Sequence, residues 1–332
     1  MRVKILIATV DSAYAKLFSD NISESHASIF EVSVCNTLEN IQETLSKRKY
    51  DVALMDAPMI ENADLKSIHL PMLLWSEHET TVETPIELLK INKHRRISSI
   101  VATVLERYAK ISKHRYSLGS ESANITAVWS PAGGVGKTTI ALAYAASKVS
   151  AEKEVFYLNL EAFSSLPGYF GDSGKSISAV FEMLDDREGN VKMLIQGIRC
   201  NENGITYLSR PDNYDDMCIL SAGNIKELVT TCAELADELV IDLSCSCDVR
   251  TRQVFELVDS LLIVIDHTTS AEVKLAQFAS QNTVFENDKE KTTLVANKGA
   301  AINGLQMKSI ISLPLVQTND AVAIYKELVQ RI

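Results

Sequence analysis

Residues 131–139, Pro-Ala-Gly-Gly-Val-Gly-Lys-Thr-Thr, put three glycines, one ammonium group and two hydroxyls into nine positions. That set suits phosphate chemistry. Gly133, Gly134 and Gly136 let backbone N–H groups turn inward without a Cβ clash, and the dipole of a helix starting there favours an anion. Lys137 would contact the β- and γ-phosphates of a nucleotide. Thr138 would offer its hydroxyl to a Mg²⁺ bridging the same two groups. Against the common pattern G-x-x-x-x-G-K-[ST], Pro131 replaces the first glycine.

Two further carboxylates stand at the ends of apolar runs. Leu239-Val-Ile-Asp242 reads as a strand delivering Asp242 to the same edge, where it could hold Mg²⁺ or cap the next helix. Val155-Phe-Tyr-Leu-Asn159-Leu-Glu161 is a second such run. Glu161 could orient an attacking water and Asn159 could touch the metal's hydration shell, or both could stabilise a loop. His267, after the strand-end Asp266, reads as a loop residue. None of the six histidines has metal-ligand spacing.

The elements that position these groups alternate strand and helix. Ile125–Trp129 runs into the glycine loop, and Ile140, Leu142, Tyr144 and Ala145 beyond it have spacings suited to a helix on a sheet. Further runs at Val155–Leu158, Ile205–Leu208, Leu239–Ile241, Leu261–Ile265 and Leu294–Ala296 are near-continuously apolar, as in parallel strands covered on both faces. Ligands then sit at their carboxyl ends. Thr269-Ser-Ala-Glu272 reads as a capping box, and Asp320–Ile332 as a closing helix with Ile324, Leu328 and Ile332 on one stripe.

Residues 1–115 show the same alternation, with runs at Val3–Val10, Phe30–Cys35, Val52–Met55 and Met72–Trp75. Residues 112–124 are rich in Ser and charge and lack apolar periodicity. The expected organisation is therefore α/β in two doubly wound domains, 1–115 and 124–332, with a linker at 116–123. A chain of 332 residues with 46% apolar content is ample for two cores. No stretch reaches the roughly 18 apolar residues of a spanning helix, and Asp11 interrupts the N-terminal run too early for a secretory signal, so a cytoplasmic chain is expected. The six cysteines include no C-x-x-C pair and read as buried thiols. Residues 119–332 carry the whole net charge of −10, which argues against a large DNA footprint.

Taken together, Gly133-Gly-Val-Gly-Lys137-Thr138-Thr139 and Asp242 resemble the ParA/MinD group of P-loop ATPases over roughly residues 124–332. The resemblance implies ATP and Mg²⁺ as cofactors, with Lys137 and Glu161 in catalytic roles and Thr138 and Asp242 at the metal. It also implies Gly133, Gly134, Val135, Gly136, Lys137, Thr138, Thr139, Asn297 and Pro314 as nucleotide contacts. Asn297 lies where the group contacts adenine, though Asn297-Lys298-Gly299 is also an ordinary strand-ending turn. Two departures matter. Ala132 stands where the group's signature lysine reaches a partner's phosphates across an ATP-sandwiched dimer, and the group's D-x-D is Asn159-x-Glu161. A lost cationic contact can add several kcal/mol to a phosphoryl-transfer barrier, so slow or conditional hydrolysis is expected.

The N-terminal part resembles a response-regulator receiver domain, with Asp56 at the phosphoacceptor position, Ser76 at the hydroxyl position and Lys93 near the late lysine. The acidic pair is absent from Ile7–Val10, which favours docking over phosphotransfer. This pairing of domains, with Ile177–Leu184 and Gly204–Pro211, resembles the TadZ/CpaE group of Flp/Tad pilus-assembly ATPases. An ATP-dependent homodimer that positions pilus or secretion machinery is then expected, the receiver-like part supplying the docking surface. A DNA-partitioning ATPase and a nucleotide-bound scaffold are the alternatives. Peripheral membrane association through the last helix is a further implication, but its few basic residues favour packing on its own domain.

Overall fold

The computed structural model describes residues 2–27, 29–76, 88–111, 123–171, 174–187, 189–281, 289–300 and 309–332. The chain divides into two compact units, Met1–Tyr116 and Ser117–Ile332. Residues 116–122 of the expected linker lie outside the described residues.

The first unit holds five parallel strands: β1 (Val3–Ala8), β2 (Phe30–Cys35), β3 (Tyr50–Met55), β4 (Ile68–Trp75) and β5 (Leu89–Asn92). Their order, β2-β1-β3-β4-β5, is the flavodoxin-like winding. Helices α1 (Ser12–Ser25), α2 (Leu38–Lys47), α3 (Ala57–Glu61) and α4 (Ile97–Ile111) connect or follow them. In α2, Ile41 and Leu45 are buried four apart, the stripe that their spacing predicts. Strand β1 stops two residues short of its apolar run. The N–H of Thr9 goes to the Cys35 carbonyl and that of Val10 to the Asp56 carboxylate, which ends the ladder.

The second unit has an eight-stranded sheet: β6 (Asn124–Trp129), β7 (Val155–Leu160), β8 (Cys200–Glu202), β9 (Ile205–Tyr207), β10 (Glu238–Leu243), β11 (Ser260–Ile265), β12 (Thr292–Ala296) and β13 (Ser309–Ser312). Their order is β13-β12-β11-β6-β10-β7-β9-β8, and all pairs are parallel except β8 with β9. Among the described residues the unit carries helices α5 (Lys137–Ser150), α6 (Ser178–Asp186), α7 (Val191–Ile198), α8 (Ala222–Ala233), α9 (Val249–Leu257), α10 (Thr269–Gln281) and α11 (Ala321–Leu328). Strand β6 runs between β10 and β11, so the chain leaves it toward one side of the sheet and later returns on the other. That reversal opens the crevice into which the glycine loop projects.

Three readings need correction. The N-cap of α10 is Thr268, whose hydroxyl accepts from the Ala271 N–H at 3.3 Å, so the box starting at Thr269 is displaced by one residue. The terminal helix spans only Ala321–Leu328. Asp320 caps it, and its last turn tightens into a 3₁₀ turn at Val329–Arg331. Cys218, Cys245 and Cys247 are exposed because they sit in connections rather than in the core; all six cysteines are free. Leu328 is fully buried, with Ile324 and Ile332 packed against the same core as α5, so the stripe faces its own domain. Among the described residues no helix is long and apolar enough to cross a membrane.

Candidate phosphate-binding site

The glycine loop leaves β6 at the buried Ser130, whose hydroxyl accepts from the Ala132 N–H at 3.1 Å. Gly134 (φ +76°) and Gly136 (φ +96°) take the left-handed backbone that a Cβ disfavours. A Cβ on Gly136 would also stand 2.6 Å from Asn297 Nδ2, so glycine is required there twice over. Gly136 is the N-cap of α5 and brings no side-chain oxygen to it. The first-turn N–H groups of α5 therefore face the cradle without a capping side chain, which is the arrangement that binds an anion.

Lys137 and Thr138, both nearly buried, point from the first turn toward β7 and β10. Lys137 Nζ lies 3.3 Å from Glu161 Oε1, and Thr138 Oγ1 donates to Glu161 Oε2 at 3.4 Å. Thr139 turns away, its hydroxyl 2.6 Å from that of Tyr169.

Asp242 is fully buried and in register with Asn159 of β7 and Val128 of β6. Its Oδ2 accepts from Tyr157 Oη at 2.8 Å and from Asn159 Nδ2 at 3.3 Å. Its Oδ1 is buried with no partner. Burial, and then the neighbouring Glu161 charge, push the Asp242 carboxyl up to about 7, while the Thr138 hydroxyl, Tyr157 and Lys137 pull the other way. An unsatisfied carboxylate oxygen beside a threonine hydroxyl fits a hard divalent cation. Asn159 is fully engaged, since its Oδ1 accepts from the Glu161 N–H at 2.9 Å. It shapes the turn that presents Glu161 and holds Asp242.

On the other flank, Asn297 Nδ2 donates to the Val135 carbonyl at 2.9 Å, and its Oδ1 accepts from the Lys298 N–H. Pro314 is exposed and follows the buried Leu313, whose backbone bonds Ala296 and Gly299. The loops after β12 and β13 are thus tied together beside the glycine loop. Three contributors escaped the sequence reading: Tyr157, Tyr169 and Lys298. Tyr157 carried a signal, since it lies two residues before Asn159 and so on the same face of β7.

Leu160 and Ala162, which flank Glu161, and Leu243 and Ser244, which follow Asp242, line a pocket of about 260 Å³. Phe163 and Tyr214, stacked at 5.8 Å and 80% and 55% exposed, also line it. In the first unit, Asp56 is buried and caps α3. Its Oδ2 accepts from the Val10 N–H at 2.8 Å and its Oδ1 from the Met59 N–H at 3.3 Å. Ser76 is buried after β4, and the Lys93 N–H bonds the Trp75 carbonyl.

No family model and no curated protein matches this chain. Its structural neighbours include ATPases of the ParA and MinD kinds, which align over about 63% of it. A ParA family ATPase from Chlorobium tepidum aligns over 64% of this chain and 92% of its own, with 17% identity and a TM-score of 0.52. The cell division ATPase MinD from Pyrococcus furiosus aligns over 63% and 98%, with 11% identity and a TM-score of 0.47. A plasmid partition protein from Borrelia burgdorferi bound to AMPPNP aligns over 63% and 97%, with 16% identity and a TM-score of 0.45. The Chlorobium tepidum likeness shows a shared α/β fold with a mostly parallel sheet.

Proposed function

We propose that this chain is an ATP-dependent dimerising localisation switch for pilus or secretion machinery, with slow or conditional hydrolysis. One observation carries the nucleotide part. An uncapped helix start, the Lys137 ammonium, the Thr138 hydroxyl and the orphaned Asp242 Oδ1 converge at the carboxyl end of one parallel sheet. ATP and Mg²⁺ suit that donor set. Thr138 and Asp242 would hold the metal, and the N–H groups of Gly133–Thr139 together with Lys137 would hold the phosphates. When bound, the metal would neutralise charge between the β- and γ-phosphates.

Glu161 would move a proton or orient water at the γ-phosphate, and it forms the ion pair that phosphates would displace from Lys137. With Ala132 adding no charge to the loop, slow turnover follows. Displacing Glu161 would shift Leu160–Phe163 and with them the apolar pocket. That gives bound nucleotide a surface readout, which suits a switch more than a metabolic enzyme.

The receiver-like reading of the first unit rests on its strand order and on Asp56, Ser76 and Lys93 at the ends of β3, β4 and β5. Both Asp56 oxygens are held by backbone N–H groups, which supports a docking module over a phosphoacceptor. Imaging a fluorescent fusion in cells that build such pili tests the role. A focus at the machinery that disappears in Lys137→Ala is expected; a signal spread along the nucleoid would favour DNA partitioning instead.

A further inference from the structure

From the sequence, Lys298 reads only as part of an ordinary strand-ending turn, yet its ammonium, like that of Lys137, reaches the glycine loop. Its Nζ donates to the Gly134 carbonyl at 2.8 Å and to Asp266 Oδ2 at 3.1 Å. Asp266 follows β11 directly as a buried residue and is itself fixed by the N–H and hydroxyl of Thr268 at 3.1 and 2.6 Å. The chain β11–Asp266–Lys298–Gly134 therefore ties the outer wall of the loop to the sheet. Asn297 makes the neighbouring tie, to the Val135 carbonyl.

The backbone at Lys298 supports the same conclusion. It has φ +55°, and Gly299 follows at +72°. A left-handed lysine is disfavoured and persists where surrounding contacts over-determine it. This conformation lets consecutive side chains, Asn297 and Lys298, reach consecutive loop carbonyls. A peptide unit that turns its N–H toward an anion turns its carbonyl the opposite way, and that carbonyl needs a donor.

We infer that Lys298 is a positioning residue for phosphate binding: with Asp266 it holds the Gly134 carbonyl outward and so keeps the loop's N–H groups aimed into the cradle. The inference rests on the phosphate-site reading above. Paired with Asp266, the ammonium adds little net charge, so it acts on the shape of the loop rather than on its field. The ligand class it serves is any diphosphate-bearing molecule, whatever base is attached.

The test is calorimetric titration of the full-length chain with ADP and, separately, with inorganic pyrophosphate, in Mg²⁺. Wild type, Lys298→Met, Asp266→Asn and the double variant are compared. Lys298→Met keeps the aliphatic stem and removes the donor. Both single variants are expected to weaken both ligands by roughly tenfold, with the double variant no worse than either, because one tie has been cut. Unchanged affinity in Lys298→Met would overturn the inference. So would a loss confined to ADP, which would make Lys298 a base contact instead. If Lys298→Met melts early, Lys298→Arg, which keeps a donor, must recover pyrophosphate binding for the inference to stand. Failure of the wild type to bind either ligand would remove the phosphate-site reading itself.

Discussion

Glu161 and Lys137 face each other across the phosphate cradle, carboxylate to ammonium at 3.3 Å, with the second Glu161 oxygen on the Thr138 hydroxyl. One acidic side chain thus engages both loop groups that would grip a γ-phosphate and its metal. A nucleotide must exchange its own anion for this one.

Glu161→Gln keeps the shape and removes the competing charge. ATP affinity is expected to rise several-fold while turnover falls about a hundredfold, the scale of a lost general base. Titration and a phosphate-release assay on one preparation check both effects. Unchanged affinity would mean that the ion pair does not oppose binding.

Gly136→Ala fails for two separable reasons, the left-handed backbone and the 2.6 Å approach to Asn297 Nδ2. The variant is expected to lose ATP binding by more than tenfold and to melt lower, since such conformational strain costs roughly 1–3 kcal/mol. Adding Asn297→Ala removes only the clash and should recover part of the stability but not the affinity. Differential scanning fluorimetry beside titration separates the two.

Asp242 carries the pH dependence. Burial, and then the Glu161 charge, push its folded carboxyl up to about 7, above its value in an unfolded chain, so the folded state binds the proton more tightly. That contribution to stability is present below about pH 4 and is lost as pH rises through 7. Without ligand, the protein should therefore lose stability progressively from about pH 4 to about pH 7 and level off by pH 8. Asp242→Asn should be the more stable form at pH 8, by several degrees in Tm on the order of a few kcal/mol. Melting curves across that range decide it, and identical pH profiles for the two proteins would contradict the assignment.

Asp56 is a helix cap held by two backbone N–H groups. Asp56→Ala should cost about 1 kcal/mol of stability. Incubation with acetyl phosphate and Mg²⁺ should leave the wild type unmodified by mass spectrometry. A phosphorylated Asp56 would restore the phosphoacceptor reading.

The parts of the fold that could be read in the sequence are those where one physical signal dominates. Long aliphatic runs such as Val155–Leu158 and Leu261–Ile265 are strands because burial on both faces leaves no alternative. The short edge strands β5, β8 and β13 were not legible, since half-exposed runs of three or four residues carry little hydrophobic signal. The β8–β9 hairpin was not read from the sequence either, although its two turn residues, Asn203 and Gly204, both take positive φ, as a two-residue turn requires. At the site, Asp242 and Glu161 could be placed at strand ends by pattern. Their partners could not, because Tyr157 binding Asp242, or Lys298 binding Gly134, depends on which strands become neighbours.

The central claim is that nucleotide controls assembly. Light scattering on the full-length chain with ATP-Mg²⁺, with ADP-Mg²⁺ and without nucleotide, beside Lys137→Ala and with bound nucleotide recorded, tests it most directly. The account predicts a dimer with ATP only, absent in Lys137→Ala. A wild type that binds ATP yet keeps one assembly state throughout would contradict it and leave a scaffold that holds ATP as a fixed ligand.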